Sequence, residues 1–420
     1  MLFNKIKLLK CFDANFLKNT ASLYLLTIAR ILFPLVTLPY LTRVLSLEIY
    51  GMVAYVKSVL TYVQIIVDFG FLLSATKDIV YALKAENNYS IMSIVSNTVL
   101  AKIFLLCMAL IGYIIAIINI PILNDHTVFS LVMFMSIAMS IFLFDFYFQG
   151  IEEMSALATR FLWSKGFTTV CIFLFVHSDV DLMKMAYIEL SGSVIAVILT
   201  FNELYKRNVY YVQPSIIQSI LLIKESFMYF ISNISTTVFN VFITFLIGIY
   251  LLPEDIAYWT IALQLIGGVQ SFYSPILTSL YPLMVREKNI KAIFDILKVV
   301  MPLIFFGCLG LYIFASEIIY IIAGEKYIGG IVVFRYLIPL LFISFPAMIV
   351  GWPVLGAIGL VNQVTITTVF SSIVQVLLLV FLAMTSSFNL FTISISRCIV
   401  ETFLFASRLF YVILYRRYLR

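Results

Sequence analysis

Charge is what this chain has least of. Asp, Glu, Lys and Arg make up 11% of its 420 residues, where a soluble domain carries about 25%. That scarcity excludes a water-soluble globular fold, which needs a charged surface. Histidine occurs only twice, at His126 and His177. Two isolated imidazoles leave no His-based metal motif and no convincing proton relay. The five cysteines, Cys11, Cys107, Cys171, Cys308 and Cys398, show no metal-ligand spacing. Four of them fall in apolar spans, where a thiol behaves as a small hydrophobe and disulfides are not expected. No P-loop is present, so the chain hydrolyses no ATP. No nucleophile elbow or other catalytic constellation stands out, and the chain does not read as an enzyme. The net charge of +6 is not gathered into a compact basic patch, which argues against a nucleic-acid partner.

What fills the sequence is apolar: 63% of residues are hydrophobic and mean hydropathy is +1.09. The runs are long and continuous, which points to a polytopic α-helical membrane protein and excludes a β-barrel of short alternating strands. Twelve spans are expected, at 19–41, 51–73, 91–118, 128–149, 160–177, 183–203, 226–252, 256–284, 296–320, 331–357, 363–384 and 390–414. The apolar run after Asn19 is too long for a cleaved signal peptide. Leu2, Ile6, Leu9 and Phe16 suit a short interfacial helix over 2–18. With the N-terminus placed in the cytoplasm, the inner segments collect eighteen Lys and Arg, among them Arg160 and Lys165. The outer loops keep three, Arg43, Lys184 and Lys326. The positive-inside rule then sets both termini in the cytoplasm, which requires an even number of spans.

The chain repeats. Leu45-Ser-Leu-Glu48-Ile-Tyr-Gly51 precedes the second span, and Leu251-Leu-Pro-Glu254-Asp-Ile-Ala257-Tyr258 precedes the eighth. Each turn is followed, one loop later, by a basic cluster. The expected halves are six-helix bundles over 1–205 and 226–420, joined by a polar linker at 206–225. Six spans per half is an even number, so the halves run in the same direction, a parallel repeat known among transporters.

Several ionisable groups lie where hydrocarbon disfavours them. Lys57, Thr61, Gln64 and Asp68 follow the spacing i, i+4, i+7, i+11, which stacks them on one helical face. A charge at bilayer depth costs at least ~2.5–3.5 kcal/mol and so faces protein or water. Arg30, mid-span in the first helix, reads as an anion contact or as a structural partner of Asp68 or Asp145. Arginine's planar fork suits phosphate oxygens. Lys57 is a second candidate anion contact, and Asp145 with Gln149 approaches the inner end of the fourth span. Glu189 reads as interfacial. Arg397 and Glu401, four apart, read as a self-neutralising structural pair. Polar stripes Asn233–Thr237–Asn240–Thr244 and Thr260–Gln264–Gly267–Ser271–Ser274–Thr278 are neutral and fit helix packing and cavity lining equally. The candidate substrate-binding set is therefore Arg30, Lys57, Gln64, Asp68 and Asp145.

One stretch carries a resemblance. Leu38-Pro39-Tyr40-Leu-Thr-Arg43-Val-Leu45, Glu48-Ile-Tyr50-Gly51, Val67-Asp68-Phe69-Gly70-Phe71 and Ser74-Ala-Thr76-Lys77 resemble the N-terminal signature of bacterial O-antigen flippases. These belong to the polysaccharide transporter branch of the superfamily that also holds the MATE exporters. Gly248, the 254–258 turn and Tyr281-Pro282 are similar in the second half. Ala257 departs from it, standing where the family usually has Gly. The resemblance implies two six-helix bundles around a central cavity in the bacterial inner membrane. It implies a cargo of undecaprenyl-diphosphate-linked oligosaccharide, moved from the cytoplasmic to the periplasmic leaflet by alternating access. Arg30 and Lys57 would hold the diphosphate or acidic sugars. A proton or sodium gradient would drive the cycle, membrane lipids would surround it, and a polysaccharide polymerase complex would be its neighbour; no cofactor is implied. The alternatives are a MATE-like exporter of cationic drugs, which would want acidic cavity residues, and a polytopic polymerase or ligase, which would want a large outer loop.

Overall fold

A computed structural model of the chain describes residues 14–288 and 290–415. The interfacial helix expected over 2–18 lies largely outside them, as do Lys5, Lys7, Lys10, Arg416, Arg417 and Arg420. The described residues are helical almost throughout and contain no strand. The helices are α1 (Ala14–Val44), α2 (Leu47–Asp68), α3 (Phe71–Lys84), α4 (Asn88–Asn119), α5 (Pro121–Asp125), α6 (Thr127–Met139), α7 (Asp145–Gly150), α8 (Met154–Phe175) and α9 (Leu182–Lys206). They continue with α10 (Ile216–Tyr250), α11 (Pro253–Gln270), α12 (Tyr273–Glu287), α13 (Ile290–Ile313), α14 (Ala315–Ala323), α15 (Gly330–Ile349), α16 (Val361–Met384) and α17 (Leu390–Leu414).

Among the described residues ten spans are long and apolar enough to cross a membrane. The two others expected from the sequence are 160–177 and 256–284. The first corresponds to α8, where Arg160 and Lys165 lower the hydropathy. The second is divided at Ser271 and Phe272 into α11 and α12, of 18 and 15 residues.

Local chemistry explains where helices start and stop. The Asn87 side chain accepts from the Ser90 amide at 2.9 Å and caps α4. Asn389 and Thr392 cap α17 reciprocally, at 3.0 and 3.3 Å, each satisfying a donor the first turn leaves open. Between α2 and α3 the chain reverses its local hand at Phe69 (φ 40°) and Gly70 (φ 81°). A Cβ at Gly70 would lie 2.6 Å from the Tyr229 Cβ, so the glycine serves both the left-handed turn and the close approach.

The chain forms two compact units. Unit 1 comprises 1–37 with 59–233, and unit 2 comprises 38–58 with 234–420. The segment 38–58, with its Leu45–Gly51 turn, is thus grouped with the second unit, and 226–233 with the first. In unit 1, α9 packs along α8 and α6, and α3 lies against α4 and α7. A buried hydroxyl pair, Ser74 and Ser226 at 2.6 Å, ties α3 to the N-terminal half of α10. In unit 2, α17 packs on α15 and α16, and α15 on α11 and α13. Its core gathers Tyr273, Leu280, Met284, Phe345, Ile349 and Leu355. Val350–Gly356 continues α15 as a π-helical turn with Pro353 inside and a non-helical Gly351 (ψ −110°).

The two repeated turns meet within unit 2. A Cβ on Gly51 would stand 1.8 Å from the Pro253 carbonyl oxygen. Ala257, the residue departing from the family pattern, is fully buried, its amide nitrogen 3.3 Å from that same Cβ position. Arg43 donates to the Ile321 carbonyl at 2.9 Å, and Tyr50 meets Tyr327 edge-on.

Candidate functional site

In unit 1 three helix carboxylates, Asp68, Asp145 and Glu189, have basic partners. Asp68, the last residue of α2, accepts from Lys102 Nζ at 2.8 Å and from Gln64 Nε2 at 2.6 Å. Gln64 also donates to Ser140 Oγ at 3.1 Å. The spacing of four between Gln64 and Asp68 places both on one face, as the sequence requires. Lys102 is buried in the middle of α4, with 8% of its side chain exposed against 42% for Asp68. Asp145 opens α7, after Ser140–Leu143 tightens to a 3₁₀ turn and Phe144 adopts φ 51°. That break presents the carboxylate to Arg160, which binds it and also donates to the Leu143 carbonyl at 2.6 Å and Thr200 Oγ1 at 3.3 Å. Arg160, counted with the inner segments although it opens the expected span 160–177, therefore lies buried in α8. Lys165, also counted as a loop cation, sits in α8 and pairs with Glu189 at 2.8 Å. A carboxylate set among apolar helices recruits a cation because an unpaired charge is costly in hydrocarbon.

The structure thus brings Gln64 and Asp68 together and sets Asp145 in a separate pair. Arg30 is exposed, its guanidinium 5.7 Å from the centre of the Phe161 ring; Asp68 and Asp145 pair with Lys102 and Arg160 instead. Lys57 is exposed and belongs to unit 2, while Thr61 further along the same stripe is half-buried in unit 1.

Unit 2 holds a cavity of about 590 Å³, within the ~300–1,000 Å³ usual for small-molecule sites. Arg397, Glu401 and Arg408 on α17 line it, with Asn240 from α10, Gln270 from α11 and Thr368 from α16. Thr278, Tyr281 and Trp352 complete an amphipathic wall. Arg397 pairs with Glu401 at 2.9 Å and lies 4.1 Å from the Phe239 ring centre. Both side chains are under 10% exposed. Arg408 donates to the Ala347 carbonyl at 2.8 Å and to Thr368 Oγ1 at 3.1 Å. Its Nε–H is buried and meets no acceptor among the described residues. Two members of the neutral polar stripes, Asn240 and Thr278, face this cavity.

Lys102 and Arg408 are the site residues sequence reasoning passed over. Lys102 is a lone cation in a strongly apolar span. Arg408 follows Arg397 and Glu401 at i+11 and i+7, the same offsets that mark the α2 stripe, but it precedes the aromatic run Tyr411 and Tyr415 and merges with an interfacial belt.

Comparison with known proteins gives a consistent result. Residues 16–288 match the family model described as polysaccharide biosynthesis protein. A putative O-antigen transporter of Shigella dysenteriae is 26% identical over 63% of this chain and 66% of its own length. Another, of Escherichia coli (strain K12), is 23% identical over 74% of this chain and 76% of its own. Among solved structures, an inward-facing multidrug resistance MATE family transporter of the MOP superfamily superposes with TM-score 0.74, at 15% identity over 94% of this chain and 95% of that one. The lipid II flippase MurJ in an inward closed conformation gives 0.72, at 14% identity over 94% and 87%. At that identity the likeness is one of fold, and it is the all-helical fold shared by those transporters. The matched family model covers well over half of the sequence, so the chain is a member of the polysaccharide biosynthesis protein family.

Proposed function

We propose that this protein is a flippase for polyprenyl-diphosphate-linked oligosaccharide, moving the glycan and its diphosphate from the cytoplasmic to the periplasmic leaflet by alternating access. What carries the reading is the family membership combined with arginine-lined polar space set in apolar helices. A glycan and a diphosphate cannot cross hydrocarbon unaided, so they need a wet path with cations, while the polyprenyl tail stays in lipid. Arg30 and Lys57 are assigned to the anionic headgroup. Gln64, Asp68 and Asp145 lend polar character to unit 1, with the two carboxylates balanced by Lys102 and Arg160. The protein sits in the inner membrane with both termini cytoplasmic, and an ion gradient drives the cycle.

The test is complementation in a strain lacking its own O-antigen flippase. Expression of the wild-type chain should restore surface glycan, and single lipid-linked units should accumulate on the inner leaflet without it. Arg30→Ala should abolish display while the protein remains in the membrane at wild-type level. In the protein's own host, deletion of its gene should trap single units facing inward; single units found outside after that deletion would point to a polymerase and refute the flippase reading. Full display by Arg30→Ala would remove Arg30 from the headgroup contact.

A further inference from the structure

The cavity of unit 2 has properties that a purely structural ion pair does not need. Two arginines, each more than nine-tenths buried, share it with one carboxylate, so the cluster carries one positive charge in excess. Arg397 is held by Glu401 and by the face of Phe239. Arg408 is fixed by the carbonyl of Ala347 and by Thr368, and its Nε–H has no acceptor. A buried donor without a partner costs free energy that an incoming acceptor recovers. Gly351 preserves this arrangement: a Cβ there would lie 2.9 Å from Arg408 Nη1. The space beside the arginines is amphipathic and large enough for a ligand, and Tyr281 and Trp352 offer aromatic faces to a sugar ring.

We propose that this cavity is a binding site for a sugar-diphosphate diester, and that the ligand displaces Glu401 from Arg397. The phosphate oxygens take the fork of Arg397 and the free Nε–H of Arg408. Glu401, left buried without its cation, takes up one proton from solvent, so no bare carboxylate remains. The other charged or titratable groups near Glu401 are Arg397, Cys398 and Arg408 on its own helix and Tyr281 from α12. The cavity wall contributed by α10, α11, α15 and α16 is uncharged. Binding is thereby linked to proton uptake, and affinity falls as pH rises, by up to about tenfold per pH unit. The proposal deepens the flippase reading and rests on it for the lipid carrier of the diphosphate.

Direct binding to the purified full-length protein in lipid nanodiscs tests this. The probes are farnesyl-diphosphate-linked N-acetylglucosamine and, as the lipid-free source of the same chemistry, UDP-N-acetylglucosamine. Neither phosphodiester titrates where carboxylates and histidine do, so a pH profile reports the protein. The expected result is binding of the farnesyl probe that weakens with pH, a flat profile in Glu401→Gln, and a loss of roughly tenfold to hundredfold in Arg408→Gln. The charge-balanced Arg397→Gln/Glu401→Gln variant guards against misfolding and should lose affinity comparably. Preference for the farnesyl probe assigns the site to a lipid headgroup; equal or tighter binding of the UDP sugar overturns that assignment. Unchanged affinity in both arginine variants overturns the site and leaves the flippase reading to the complementation experiment. A pH-dependent Glu401→Gln profile refutes the proton exchange.

Discussion

The Asp68–Lys102 pair makes an asymmetric prediction. The two partners are unequally covered: the Lys102 side chain is 8% exposed and that of Asp68 is 42%. Asp68 also keeps a hydrogen bond from Gln64 at 2.6 Å when its cation is lost. Removing one partner of a fully buried pair costs about 3–5 kcal/mol, because a charge is stranded. Asp68→Asn strands a buried ammonium and should approach that figure. Lys102→Met strands a carboxylate that is partly open and still held, and its new side chain suits the apolar surroundings of α4; about 1–2 kcal/mol is expected. The double variant Asp68→Asn/Lys102→Met should recover most of the Asp68→Asn loss, since no charge is then left alone. Thermal unfolding of the four proteins in the same detergent closes the cycle. A Lys102→Met protein less stable than Asp68→Asn, or a double variant no better than Asp68→Asn, would refute this account of the pair.

Gly51→Val should sharply lower the yield of folded protein, because its side chain meets the Pro253 carbonyl oxygen where even a Cβ would be 1.8 Å away; about 3 kcal/mol or more is expected, read as loss of monodisperse protein in size-exclusion chromatography. Gly112→Ala is the control, with nothing within 4 Å of its Cβ in the middle of α4, and should raise stability by up to about 1 kcal/mol in the same thermal assay. Ser74→Ala leaves the Ser226 hydroxyl without its 2.6 Å partner and should cost about 1 kcal/mol, whereas Ser74→Ala/Ser226→Ala should recover part of it.

The all-helical membrane fold was legible because composition and long unbroken apolar runs together force it: a chain this poor in charge must hide its apolar surface in lipid, and runs of that length cross it only as helices. Gln64 and Asp68 were legible because four residues is one helical turn. Their cation was not, since Lys102 is 34 positions away and pairing across helices leaves no trace in local spacing. Simple subtraction would have exposed it. Of 27 Lys and Arg, the loop reckoning places eighteen inside and three outside, and 27 − 18 − 3 leaves six: Arg30, Lys57, Lys102, Arg335, Arg397 and Arg408. Two of these six, Lys102 and Arg408, escaped notice because each lies in a strongly apolar or aromatic stretch. Arg160 escaped for the opposite reason. Its place near a span end made it look like a loop cation, and only the left-handed Phe144 turn brings Asp145 back to meet it. Arg397 and Glu401 were readable as a pair, but not the cavity beside them, because its walls come from five other helices far apart in sequence.

The match between Asp68 and Lys102 also bears on biogenesis. Each charge, leaving the ribosome alone, resists partitioning into lipid by ~2.5–3.5 kcal/mol. They reside in successive transmembrane segments, 47–84 and 89–119, so the carboxylate emerges first and the ammonium follows within one hairpin. Neutralisation can then happen at the translocon itself, and the segment bearing Lys102 enters the bilayer as half of a dipole instead of as a naked ion.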